Sequence, residues 1–301
     1  MRSPALLLIL TAVLAIGPAA DATVGQTDIQ LPGATLELEI RGSVDDGNVA
    51  KLEQWVRESA TQVTLAYGRF PVPEPRVIIV PSQGDRWGGG SPVPFGRVTR
   101  SGGETVELYV DVSRPLADLS SDWTATHEFS HLLLPRISWR QKWISEGFAS
   151  YYQNVLMARA GRYTTDQAIE KLTQGFGRGR ASRPELSMNE AAQEGVRRAR
   201  YKIYWSGAAI ALLADVELRE RSGGAESLDI VLDRFQRCCL PSQRRWSGTE
   251  LFSRFDALID EPVFMPLYRE YADSAGFPEF EDALQSDLVR DEIFAVRTST
   301  H

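Results

Sequence analysis

The chain has 301 residues, 43% of them hydrophobic, and a formal net charge of −7. That length suits one large domain or two closely packed lobes with a sizeable core. The acidic balance argues against a nucleic-acid partner.

Residues 1–22 read as a secretory signal peptide. Arg2 gives a positive start, Ala5 to Ile16 is an apolar run broken only by Thr11, and Ala20-Asp21-Ala22 has the small-residue form of a cleavage site. The run is too short to span a bilayer as a helix. The expectation is an exported protein, periplasmic or extracellular, with no stable membrane insertion after cleavage; an uncleaved anchor is the alternative. The remaining 279 or so residues divide into an α/β lobe over 23–118 and a helical lobe over 119–301.

In the first lobe, Thr35 to Arg41 alternates Leu36, Leu38 and Ile40 with Glu37, Glu39 and Arg41, the period of a half-buried strand. Asp45 and Asp46 cap a helix predicted from about Val49 to Tyr67, ended by Gly68 and Pro71. Arg76 to Val80 is a short apolar strand. Phe95 to Arg100 and Thr105 to Asp111 form a hairpin across Ser101-Gly102-Gly103.

Beyond Asp118 the pattern turns helical. Ser120, Ser121 and Asp122 offer N-caps for a helix over Trp123 to Leu134, which Pro135 ends. It carries His127-Glu128-Phe129-Ser130-His131, two of the chain's three histidines. Positions i and i+4 share a helix face, so both imidazoles reach one metal ion. Zinc accepts neutral imidazole, and a catalytic zinc keeps three protein ligands and a water. Glu128 lies where it takes that water's proton. A helix carrying two unrelated histidines is the plainer explanation, but the motif's mid-helix position favours the metal.

The third ligand must come from elsewhere. A second helix, from Trp143 to about Gly161, has an apolar stripe of Ile144, Phe148, Tyr151, Val155 and Met157. Its Glu146 is the candidate, although a glutamate in a first turn also suits the helix dipole. Gly147 permits close approach of two helices, and Pro135 to Gln141 is long enough to reverse the chain. Downstream, Ser247-Gly248-Thr249-Glu250 is a capping box. The basic clusters Arg178 to Arg183 and Arg197 to Arg200 read as solvated faces. Cys238 and Cys239, the only cysteines, are adjacent; they are either buried thiols or a vicinal disulfide, and not a zinc site.

His127 to His131 followed by Trp143-Ile144-Ser145-Glu146-Gly147-Phe148-Ala149-Ser150-Tyr151-Tyr152 resembles the gluzincin metallopeptidases, above all the aminopeptidase N and glycyl aminopeptidase branches. Their pattern is H-E-x-x-H, then W-x-x-E-G-[FL]-A-x-Y. The resemblance implies that His127, His131 and Glu146 hold one zinc ion per chain and that Glu128 is the general base. Tyr204-Trp205-Ser206-Gly207-Ala208 matches the family's Y-x-K-G-A, which implies an oxyanion-stabilising role for Tyr204. A core tyrosine on an amphipathic helix over Ile203 to Leu218 is the competing explanation, and Tyr201 is the fallback. The likeness covers about 120 to 280, with specific motifs only in the first third.

This chain departs from the pattern in several places. The gap from His131 to Glu146 is shorter, Leu132-Leu133-Leu134 replaces polar and aromatic residues, and Ser206 replaces a lysine. The G-x-M-E-N signature that anchors a substrate's amino terminus is absent; Gly103-Glu104 is a faint echo that a hairpin turn explains better. Aminopeptidase specificity therefore does not carry over. The resemblance implies an α+β thermolysin-like zincin, a sheet-bearing lobe followed by a mostly helical one. In that fold a peptide or protein substrate pairs with an edge strand, either Trp87 to Ser91 or Phe95 to Arg100. The implied function is zinc-dependent peptide hydrolysis. A zinc-stabilised binding protein without activity is the alternative, which Glu128 speaks against, since a scaffold has no need of it.

Overall fold

The structure is a computed structural model and describes residues 23–82 and 90–297. The predicted signal peptide and most of the Trp87–Ser91 candidate strand lie outside the described residues. The sheet lobe comprises β1 (Thr23–Leu31), β2 (Ala34–Arg41), helix α1 (Asp46–Thr64), β3 (Arg76–Pro81), β4 (Phe95–Thr99) and β5 (Thr105–Val110). The strands order as β1-β2-β3-β5-β4, with β2–β3 and β3–β5 parallel and the two outer pairs antiparallel. The strand β1 is an addition to the sequence reading. Its polar sequence hides the strand period, and Ile29 is its one fully buried apolar side chain among those described.

The alternation in β2 buries Leu36, Leu38 and Ile40 in a core that also takes Leu52, Trp55, Val56 and Val63 of α1. Asp45 caps α1 as expected, its carboxylate accepting from Asn48 N at 3.0 Å. The helix spans 46–64 instead of 49–67, because Leu65 to Gly68 close as turns.

The helical lobe follows: α2 (Leu116–Ser121), α3 (Thr124–Ser130), α4 (Lys142–Arg159), α5 (Thr165–Ala181), α6 (Met188–Glu194), α7 (Val196–Ser222), α8 (Leu228–Cys239), α9 (Gly248–Asp256), α10 (Phe264–Tyr271) and α11 (Glu281–Gln285). The architecture is α+β, a sheet lobe followed by a mostly helical lobe, in the thermolysin-like arrangement. Two boundaries differ from expectation. Ser120 and Ser121 end α2, leaving Asp122 to accept from Thr124 N at 2.8 Å. The helix expected to reach Leu134 stops at Ser130 and finishes as a 3-10 turn over His131–Leu133, since Leu134, before Pro135, is extended. The Ser247 capping box is present, and Cys238 and Cys239 form a vicinal disulfide.

One continuous apolar core joins the lobes. A buried polar network reinforces it. Arg159, fully buried on α4, pairs with Asp229 at 2.8 Å and donates to the Ile293 and Leu65 carbonyls. Tyr151 and Tyr152 donate to Asp215 and Asp229 at 2.7 and 2.9 Å. Burial works to raise the Asp229 pKa, but Arg159, Arg297 and Arg219 outweigh it and hold the carboxyl below the usual range.

The helices α4 and α7 meet at Gly147 and Gly207. A Cβ on Gly207 would lie 1.9 Å from the Trp143 carbonyl oxygen, and one on Gly147 would lie 2.3 Å from Gly207 Cα. Both obstacles are backbone, so neither moves aside cheaply. Gly207→Ala should therefore lower stability by about 1–3 kcal/mol or more through overpacking. Gly177→Ala, on the exposed face of α5 with open space around it, should raise stability by about 0.5–1 kcal/mol through helix propensity. Urea unfolding of both variants checks the contrast; equal effects would mean that the crossing is loose.

Candidate active site

The helix α3 and the turn after it place His127 and His131 on one buried face, their rings 4.9 Å apart between centroids. The ligating atoms of His127, Glu128 and His131 all lie within 4.8 Å of one another. Glu146 reaches the same point from the first turns of α4. Its Oε2 lies 3.5 Å from His127 Nε2 and 3.6 Å from His131 Nε2. Donor atoms of a tetrahedral metal with bonds of roughly 2.0–2.1 Å are separated by roughly 3.3 Å. Glu146 Oε2 therefore stands from each histidine Nε2 at close to the spacing of metal ligands.

The hydrogen bonds around them fit that use. His127 Nδ1 lies 3.2 Å from Gln153 Oε1 and His131 Nδ1 lies 3.1 Å from Ser145 Oγ. Both outer nitrogens thus have a polar partner, which orients the rings with Nε2 toward Glu146. Glu146 Oε1 is held by Lys142 at 3.0 Å. Glu146 Oε2, buried between the imidazoles, has no hydrogen-bond partner. A buried carboxylate oxygen without a donor is costly, and a cation between it and the two nitrogens would remove the cost. The donor set, two imidazoles and carboxylate oxygen, suits zinc.

The charges are mutually dependent. Burial works to raise the Glu146 pKa, but His131, His127 and Lys142 outweigh it and hold the carboxyl well below its ordinary range. Burial pushes Glu128 up, only partly offset by His131 and His127. Burial alone would lower His127, but Glu146 and Glu128 reverse the direction and raise it. Two carboxyls thus share one buried site in different environments, one stabilised as an anion and one inclined to take a proton.

Glu128 points from α3 toward the sheet edge. A Cβ on Gly96 would lie 2.5 Å from Glu128 Cγ, so β4 crosses directly over this side chain and only glycine fits there. Among the described residues β4 is an outer strand of the sheet, on the side of the site; it is the second of the two candidate strands. Glu104, by contrast, is buried in the hairpin and pairs with Arg100, whose guanidinium also donates to the His131 carbonyl at 2.8 Å. It braces the end of the histidine segment from behind.

Tyr204 comes from α7 and lies nearly parallel to the His127 ring at 5.8 Å. Burial, then the neighbouring Glu146 carboxylate, raise its pKa well above the ordinary range, so its hydroxyl stays a donor. Tyr201 is 49% exposed with Arg178 over its ring, which leaves Tyr204 as the tyrosine beside the histidines. Sequence reasoning missed Gln153, Ser145 and Lys142. Gln153 had a legible signal: it follows Glu146 by seven residues and so shares its helix face.

A family model of the M61 glycyl aminopeptidases matches residues 135–210, about a quarter of the chain, which includes Glu146 and Tyr204. The aminopeptidase N family protein from Idiomarina loihiensis superposes with a TM-score of 0.57 at 14% identity, over 87% of this chain and 48% of that one. The M1 zinc metallopeptidase from Deinococcus radiodurans gives 0.51 at 16% identity, over 88% of this chain and 53% of that one. The chain has a gluzincin-like fold. It spans about half the length of these solved relatives, and no curated protein sequence matches it. Among the described residues no helix is long and apolar enough to cross a membrane.

Proposed function

We propose that the chain is a zinc-dependent metallopeptidase, with His127, His131 and Glu146 as ligands and Glu128 as general base. The observation that carries this reading is the convergence of the Glu146 and histidine donor atoms around a buried, unpartnered carboxylate oxygen. Zinc, when bound, supplies Lewis-acid polarisation of the scissile carbonyl and a water of lowered pKa. Glu128, already pushed up by burial, is suited to take a proton from the attacking water and pass it to the leaving amine. Tyr204 donates its hydroxyl proton in a hydrogen bond to the developing oxyanion. The outer strand β4 aligns the substrate by backbone pairing, and Gly96 lets β4 lie close against Glu128.

The M61 match and the fold both support placement near the glycyl aminopeptidase and aminopeptidase N branches. The apolar leader-like segment before residue 23 supports action outside the cytoplasm on peptides or proteins.

The two carboxyls separate by experiment. Purified protein should hold about one zinc per chain, and Glu146→Ala should lose most of it. Glu128→Gln should retain zinc yet lose nearly all hydrolysis, because an amide close in shape cannot accept the proton. Metal analysis beside a peptide-library assay reads both. Full zinc in Glu146→Ala, or full activity in Glu128→Gln, would contradict the assignment.

Tyr204→Phe should lower kcat by roughly 10²-fold with little change in KM, as for loss of one oxyanion donor. Unfolding should shift little. A large loss of stability with normal kcat would instead assign Tyr204 to packing.

A further inference from the structure

Beside the histidines opens a cavity of about 240 Å³, into which His127, Gln153 and Tyr204 all face. Its outer wall is formed by α5 and α7, which bring Lys171, Arg178 and Arg200 to its rim. Among the described residues no aspartate or glutamate lines it. In a chain of net charge −7, this is a locally positive cleft that adjoins the proposed reaction centre.

The cations on this rim are treated differently from their neighbours. On the same or adjoining segments, Arg180 pairs with Glu281, Arg183 with Glu185, Arg198 with Glu194 and Arg219 with Asp215. Lys171, Arg178 and Arg200 have no carboxylate partner among the described residues. Aromatic faces position them instead. Lys171 Nζ lies 4.7 Å from the Tyr163 ring centre, Arg178 lies 5.4 Å from Trp205, and Arg200 lies 5.6 Å from Tyr204. An aromatic face restrains a cation without neutralising it. The charges are thus pre-positioned and still free to pair, as a guanidinium pairs with a carboxylate.

We propose that this cavity is a substrate subsite next to the bond cleaved and that it takes a carboxylate. Resting on the metallopeptidase reading above, the inference adds a substrate class. The carboxylate has two sources of the same chemistry, an Asp or Glu side chain flanking the scissile bond or the free C-terminus of a short peptide. Arg178 and Arg200 are the residues that would bind it, with Lys171 at the outer rim. The two arginines come from separate stretches of sequence, which is why neither basic cluster announces a pocket until α5 and α7 are packed together.

The test uses zinc-loaded full-length protein and matched synthetic peptides. One series places Glu or Gln at each position within two residues of the cleaved bond. The other presents the same peptide as a C-terminal acid or amide. The expected result is a kcat/KM ratio of charged to neutral peptide of roughly 10 or more in one of the two series, the size of one hydrogen bond to a charged group. The series that shows it names the source. In Arg178→Gln/Arg200→Gln that ratio should fall to about one, and in Arg178→Glu it should invert for peptides carrying Lys at the same position. Raised salt should weaken the preference in the wild type. Thermal melting confirms that the variants fold, and because both side chains are exposed, a single Arg200→Gln variant should show an intermediate ratio if the double variant is unstable. A ratio near one in the wild type, or one that survives the substitutions, would overturn the subsite. Absence of cleavage for every peptide would instead overturn the metallopeptidase reading, and the subsite with it.

Discussion

Two glycines that face each other across α4 and α7 set the position of everything else in the site. With Gly207 against the Trp143 carbonyl and Gly147 against the Gly207 backbone, the two helix axes approach as closely as backbone atoms permit. That contact falls one residue after Glu146 and three residues after Tyr204. It therefore fixes how far the carboxylate reaches toward the histidines and how Tyr204 lies against His127. A larger residue at either glycine would separate the carboxylate from the imidazoles before it disturbed anything on the sheet. Further along α4, Tyr151 ties it to α7 through Asp215, and Arg159 at its end ties it to α8 through Asp229.

Within that frame the histidine pair and Glu146 form an electrostatic unit that is incomplete by itself. Lys142 satisfies one carboxylate oxygen, and the other is buried between the two imidazole nitrogens. Gln153 and Ser145 sit at the outer nitrogens and orient the inner ones toward Glu146. Two ring nitrogens and a carboxylate oxygen thus converge on one buried point, an arrangement that a cation would stabilise. Glu128 differs from Glu146 in having the sheet edge on its other side, where the backbone of Gly96 packs against it. The two carboxyls are thus divided by environment, one held as an anion and the other pushed toward protonation.

Much of this was legible in the sequence, and the reasons differ by element. The spacing of His127 and His131 is fixed by the helix repeat, so it survives even though α3 proper ends at Ser130 and His131 opens a 3-10 turn. Asp45 and Ser247 announce helix starts through side-chain chemistry that acts within three residues. The strand β1 left no such signal, because an edge strand with one buried face and polar neighbours lacks the alternation of β2. Gly147 was legible as a close contact but its partner was not, since pairing it with Gly207 requires knowing which helices cross. The same limit hid the cationic cleft. Arg178 and Arg200 sit in separate basic runs, and only the packing of α5 on α7 brings them to one rim beside His127.

The central claim is that two imidazoles and one carboxylate hold an open zinc site. X-ray absorption at the zinc edge of the purified, zinc-loaded protein tests this most directly. The account requires a first shell of nitrogen and oxygen only, with outer scattering from two imidazole rings and bond lengths of about 2.0–2.2 Å. A shell with sulfur at about 2.3 Å, which would bring in Cys238 or Cys239, or one with fewer than two imidazoles would contradict it.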